Sequence, residues 1–174
     1  LEYADLRPDV IAILPAGTFH HEVMADGIVN VLNTNDSRLQ LRVIDIKLTS
    51  EPSPSYFAEL TYYLMTLTAW LQENGLQNQF VVIPEGAIWP GSHAGSSLKQ
   101  YYQKCQQEQK VPDDKELRDA LEEDLHNVPI DVFAPRVLKV IQEDVPHVLS
   151  QPWRELEWHV DPRCKHCDYL GYPW

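Results

Sequence analysis

The sequence is short of positive charge. Only 14 Lys and Arg stand against 26 Asp and Glu, a formal net charge of −12 over 174 residues. A chain so acidic does not offer nucleic acid a general basic surface, because phosphate contacts need Lys and Arg. A local basic groove stays open to it, and so does an acidic site whose cation meets phosphate. The chain also has no apolar run near the ~20 residues of a membrane helix, so no membrane partner is expected. The segment Leu1 to Val10 has no basic region ahead of an apolar one, so no secretory signal is visible and a cytoplasmic chain is expected. It begins with Leu rather than Met, which reads as a fragment, a processed product or an excised domain. Cysteine is scarce: Cys105, Cys164 and Cys167 are all there is. An odd count without a signal peptide does not make a disulfide framework, and a Cys-x-x-Cys pair then points to thiolates on a metal.

What is present is a globular pattern. Hydrophobic residues make up 44% of the chain, enough for a core. The expected fold is α/β: a central mixed β-sheet flanked by helices, in β-β-β-α-β order, over residues 1–150. Asp9–Leu14, Glu22–Leu32 and Leu39–Leu48 read as a meander of neighbouring strands, with Pro15-Ala16-Gly17 and Asn33-Thr34-Asn35-Asp36-Ser37 as turns. Tyr56–Asn74 carries apolar residues at helical spacing, with Ser53 or Ser55 as its cap and Gly75 as its stop. Phe80–Ile83 is a short buried strand, so that helix reads as a crossover. Residues 84–97 read as loop. Leu98–Gln109 and Lys115–His126 read as peripheral polar helices, and Pro135–Asp144 as a helix opened by its proline. The acidic run Pro112 to Asp124 reads as a solvated helix face. Residues 151–174 form a Trp- and Cys-bearing tail, expected to be truncated.

One strand asks for an explanation. Leu41-Arg42-Val43-Ile44-Asp45-Ile46-Lys47-Leu48-Thr49 is rich in branched apolar residues yet carries an acid and a base two positions apart. Residues i and i+2 share a face. Asp45 and Lys47 therefore project together, and Ile44, Ile46 and Leu48 are expected on the packed side. The pair is either a simple ion pair or a metal ligand beside a catalytic cation. Asp26, in Ala25-Asp26-Gly27-Ile28, lies next to Asp45 if the two strands pair. Glu59, early in the next helix, can lean over the same sheet edge. Carboxylates and a lysine on such a frame suit Mg²⁺, which prefers oxygen ligands, keeps waters and often shares its shell with phosphate. His20 and His21 precede the second strand and read as surface residues.

The ordered set Ala25-Asp26-Gly27, Ile44-Asp45-Ile46-Lys47 and Glu59-Leu60-Thr61-Tyr62-Tyr63 resembles the PD-(D/E)XK nuclease superfamily, and within it the RecB-like exonucleases. Glu59 stands where that family usually has Gln, and Tyr63 matches its tyrosine. The resemblance covers residues 22–83. It implies a restriction-endonuclease-like core in which Asp26, Asp45 and the backbone carbonyl of Ile46 bind Mg²⁺ or Mn²⁺. Lys47 would assist the attacking water, Tyr63 would brace the helix, and Glu59 would contact substrate or join the metal shell. The implied activity is metal-dependent hydrolysis of DNA phosphodiester bonds, on single strands or duplex ends. The implied setting is repair, recombination or defence, beside a helicase subunit or domain.

The tail resembles the family in part. Arg163-Cys164-Lys165-His166-Cys167-Asp168-Tyr169 is similar to the start of the C-terminal cysteine group that holds an iron–sulfur cluster in many RecB-like nucleases. The same Cys164 and Cys167, with His159 or His166, supply ligands for Zn²⁺ instead, or stay an unmetallated pair. Cys105 sits in a polar helix and reads as a free thiol. Other functions remain open: a nuclease-fold module without chemistry that binds DNA or a protein, and a zinc-binding recognition domain.

Overall fold

The computed structural model describes residues 7–49, 51–91 and 95–156. The chain divides into two compact units, Leu1–Lys139 and Val140–Trp174, so the boundary expected at 150 lies inside the second. Cys164, Cys167, His159 and His166 lie outside the described residues.

The first unit is α/β, with a mixed sheet flanked by helices. Its strands are β1 (Val10–Leu14), β2 (His21–Val23), β3 (Val29–Val31), β4 (Leu39–Ile46), β5 (Phe80–Val82), β6 (Ala87–Trp89) and β7 (His126–Asn127). β4 is the axis. β1 runs antiparallel along one edge, with Val10 opposite Ile44. β5 and β6 run parallel along the other edge, β5 beside Leu39–Leu41 and β6 beside Ile44–Ile46. β7 closes the sheet against β6.

The expected meander is corrected here. Glu22–Leu32 is not one strand. It breaks into the hairpin β2–β3, which forms a sheet of its own, and β1 pairs directly with β4. The break is local chemistry. Gly27 takes φ +79°, and Asp26 Oδ1 accepts the Ile28 N–H at 3.1 Å, an Asx turn that bends the chain. The turn is tightly seated: a Cβ on Gly27 would come within 2.5 Å of the Ala134 Cβ.

Helix α1 (Pro54–Glu73) links β4 to the parallel β5, as a crossover must. Pro54 opens it, and Ser53 takes the N-cap position in extended conformation. Neither expected serine caps it through its side chain; the Ser53 and Ser55 hydroxyls bond each other at 2.6 Å. The C-terminus is a Schellman motif. Gly75 adopts φ +70°, its N–H reaches the Gln72 carbonyl, and Leu76 N–H reaches the Leu71 carbonyl.

The main apolar cluster joins Leu41 and Val43 of β4, Val82 of β5 and Ile88 of β6 to Leu60, Leu64, Met65 and Leu71 of α1. The odd-numbered side of β4 thus faces α1, and the even-numbered side is covered as well, with Gln40, Arg42 and Ile44 buried. Of Ile44, Ile46 and Leu48, all expected on the packed side, Ile44 is buried and Ile46 half-buried, whereas Leu48 is corrected: it is 97% exposed. Asp45 and Lys47 continue the core stripe, on the side that α1 covers.

Helices α2 (Ser97–Gln107) and α3 (Asp114–Asp124) fall close to their expected spans, and His126 leaves the helix to enter β7. Helix α4 runs over Ile130–Lys139, so Pro135 lies inside it rather than at its start. Burial of Ile130 and Ala134 commits the earlier residues to helix. In the second unit, a π-helical turn (Val140–Asp144) precedes helix α5 (Val145–Ser150) and a 3-10 turn (Trp153–Glu155). No helix among the described residues is long and apolar enough to cross a membrane.

Candidate active site

Where the apolar stripe of β4 gives out, charge takes its place. Asp45 is 3% exposed, and Lys47 follows it on the same face. Lys47 Nζ lies 2.8 Å from Asp45 Oδ2 and 3.0 Å from Glu59 Oε2. It also sits 5.2 Å from the centre of the Tyr56 ring, a cation–π distance. Tyr63 donates its hydroxyl to Glu59 Oε1 at 2.9 Å. Glu59 and Tyr63 are four apart on α1 and so share a helix face. The geometry gathers four of the five side chains expected at the site: Asp45, Lys47, Glu59 and Tyr63.

The fifth stands differently. Asp26 is exposed, in the β2–β3 turn rather than on a strand beside β4. Among the described residues, no group of three or more His, Cys, Asp or Glu side chains is placed to hold a metal ion. His20 and His21 are exposed, as expected, and Cys105 is a buried free thiol.

The electrostatics follow from burial. Desolvation pushes the Asp45 carboxyl above the usual aspartate range, against the opposing pull of Lys47. Asp9 and Glu59 push it the same way as burial. Desolvation also works against the Lys47 ammonium, but its bonds to Asp45 and Glu59 outweigh that, and its pKa ends above the ordinary lysine value. Burial, then the bond to Glu59, pushes the Tyr63 hydroxyl up to about 12. At neutral pH the lysine is therefore a cation and the tyrosine a proton donor.

One atom is left over. Asp45 Oδ2 is buried and has no hydrogen-bond partner. Its close neighbour is the Lys47 ammonium, 2.8 Å away, an ion-pair contact. A buried carboxylate oxygen without a donor costs free energy, and such groups collect at functional sites. Asp45 and the neighbouring Ile46 carbonyl offer hard oxygen ligands, which fit Mg²⁺ or Mn²⁺ and not a soft metal.

Two contributors went unseen in the sequence. Tyr56 sits one helical turn before the Glu59 region, and its aromatic face was the available signal. Asp9 is the second: its Oδ2 accepts the Ile46 N–H at 2.7 Å, and its side chain meets the Asp45 carboxyl. No local pattern pointed to it, because its role depends on β1 pairing past the hairpin. No family model matches this chain, and neither a curated protein nor a solved structure matches it.

Proposed function

We propose that the chain is a divalent-metal-dependent deoxyribonuclease of RecB-like type. The observation that carries this reading is the buried, under-bonded Asp45 carboxylate beside an ammonium held by Glu59 and Tyr56. Asp45 and the Ile46 carbonyl are the residues that would hold Mg²⁺ or Mn²⁺. The ion would offset charge on the phosphate and make water a better nucleophile. Lys47, protonated and positioned by two carboxylates, stabilises negative charge as it grows on the phosphate oxygens. Water adds to phosphorus, the P–O ester bond breaks, and a phosphate monoester and a hydroxyl result. Glu59 orients Lys47, and Tyr63 orients Glu59. Substrates are single-stranded DNA or duplex ends, with a helicase subunit or domain as partner. Cys164 and Cys167 would anchor an iron–sulfur cluster, with Zn²⁺ as the alternative.

The test is cleavage of single- and double-stranded DNA with Mg²⁺ or Mn²⁺. Wild type should cut, Asp45→Ala should not, and Lys47→Ala should cut far more slowly. Cleavage that survives both substitutions ends the reading. One observation favours a second reading, a nuclease-fold module that binds without cutting. Glu59 stands where the resemblance expects Gln, and its carboxylate engages the ammonium at 3.0 Å. If that contact silences Lys47, Glu59→Gln should gain cleavage that wild type lacks.

A further inference from the structure

Lys47 is fixed at its backbone by the sheet and at its tip by a helix. Its N–H reaches the Trp89 carbonyl at 2.9 Å, so the residue still belongs to the ladder with β6. Its side chain is only 21% exposed and ends against the first turns of α1. There Nζ meets Glu59 Oε2 at 3.0 Å and the centre of the Tyr56 ring at 5.2 Å. Tyr56 stands three residues before Glu59, and Glu59 four before Tyr63, so the three share one stripe of the helix. The core places that stripe. Pro54 opens α1, and Leu60 and Leu64, both 0% exposed, seat it on the sheet. Tyr56 is half-buried and packs against the same apolar cluster, which limits the swing of its ring.

The contacts on the ammonium are not equivalent. Asp45 Oδ2 is 2.8 Å away, but that carboxylate is also the ligand a divalent ion would use. Glu59 is 39% exposed at its side chain, so water competes for it. Lysine ends a flexible four-carbon stem, and one part-exposed ion pair fixes such a stem poorly. An aromatic face attracts a cation through its quadrupole and offers a hard metal no oxygen. We propose that Tyr56 is a positioning residue for Lys47: its ring face fixes the ammonium by a contact that metal binding at Asp45 does not take away. This inference rests on the reading of Lys47 as a charge stabiliser at a metal site. Tyr56 touches no reacting atom. It acts through the ammonium alone, and its hydroxyl has no part in the role.

Tyr56→Leu removes the ring face and keeps apolar bulk, whereas Tyr56→Phe keeps the face. Increasingly fluorinated phenylalanines at position 56 drain the face of negative potential while keeping its shape. Three readouts are taken on the full chain: the Lys47 Hε chemical shifts without metal, Mn²⁺ affinity by calorimetry, and kcat against KM for DNA cleavage. Tyr56→Leu should abolish the ring-current shift of Lys47 Hε. It should lower kcat by about 5–30-fold, the rate equivalent of a partly desolvated cation–π contact, with KM and Mn²⁺ affinity little changed. Tyr56→Phe should restore kcat, and fluorination should lower it stepwise. In a Lys47→Ala background Tyr56→Leu should cost nothing further, because the two residues act as one unit. If wild type binds Mn²⁺ and cuts DNA while Tyr56→Leu behaves like it, the inference is wrong and the nuclease reading stands. A loss that repeats in the Lys47→Ala background, or that falls on KM alone, also overturns it, and so does a Tyr56→Phe as impaired as Tyr56→Leu. Should Tyr56→Leu fail to fold, the fluorinated series decides, and a flat series rejects the role. If wild type neither binds Mn²⁺ nor cuts, the nuclease reading itself falls and the inference falls with it.

Discussion

β4 buries charge on both of its faces, and the two faces treat it in opposite ways. On the even-numbered face, Arg42 is 5% exposed and each arm of its guanidinium has a partner. Its Nε donates to the Glu85 carbonyl at 2.8 Å, Nη2 to Asn127 Oδ1 at 3.2 Å, and Nη1 to Glu122 of α3. Phe19 lies under it at 5.8 Å. On the odd-numbered face, Asp45 is equally buried, but Oδ2 has an ionic neighbour and no hydrogen bond. A satisfied buried charge fastens elements together; an unsatisfied one holds unspent capacity to bind. The first face joins sheet to helix. The second is the candidate site.

The sharpest way to break this contrast is to remove one cation from each face. Lys47→Ala should lower DNA cleavage by about 10²–10³-fold, the usual loss when a preorganised charge stabiliser goes. Steady-state rates with Mg²⁺ measure it. Arg42→Ala should leave the chemistry alone and instead cost about 1–3 kcal/mol of folding stability, because the Glu85 carbonyl loses its buried donor while exposed Asn127 returns to water. Glu122, 55% exposed at its side chain, returns to water and adds little. Denaturant melts measure it. If Arg42→Ala keeps full stability but loses cleavage, the division of labour between the faces is wrong.

Asp45→Asn tests the same contrast from the acid. The Asp45 carboxyl titrates above its ordinary value, so the folded state favours its neutral form. A group raised in this way contributes stability below its unfolded pKa, and loses that contribution as pH rises through the folded value. At pH 7 the ionised carboxylate is therefore a burden on the fold. Asparagine removes the burden and the metal ligand together. Cleavage should vanish while Tm rises. The gain should shrink as melts are repeated toward pH 4. A lower Tm at pH 7 would mean that Lys47 more than compensates the burial.

The contrast between faces was only half legible in the sequence. The Asp45-x-Lys47 spacing and the four-residue step from Glu59 to Tyr63 each follow from the period of their element, and both came together as expected. Which face of β4 is the core did not follow. Both faces of a central strand are covered, so alternation alone cannot rank them. Ile44, Ile46 and Leu48 looked the better core, yet Leu41 and Val43 meet α1. The acidic run before Asp124 is largely the solvated face it looked like, but its end is not: Glu122 reaches Arg42, and buried Asp124 accepts from Ser96, Ser97 and Leu98 at the start of α2. β6 was missed because its three residues, between Gly86 and Pro90, are too short to show a period. The pairing of β1 with β4 skips a whole hairpin, and turn signals report only the next neighbour. That skipped pairing also hid Asp9.

The smallest expected effect falls on the outermost bond of the odd face. Tyr63 holds Glu59, Glu59 holds Lys47 and Lys47 meets Asp45, so Tyr63 stands three contacts from Asp45. Its hydroxyl titrates near 12, and the group loses its stabilising contribution only as pH rises through that value. Below pH 10 it is therefore a constant proton donor and contributes no pH dependence. Tyr63→Phe deletes that donor and keeps the ring. Glu59 is 39% exposed at its side chain, so water can replace the lost bond. Stability should fall by only about 0.5–1.5 kcal/mol, the net worth of one such hydrogen bond. Cleavage should fall less than tenfold, because Lys47 keeps Asp45 and the Tyr56 face. If Tyr63→Phe instead matches Lys47→Ala in rate, the hydroxyl acts on the reacting groups directly. The odd face would then extend its chemistry onto α1 rather than being merely braced by it.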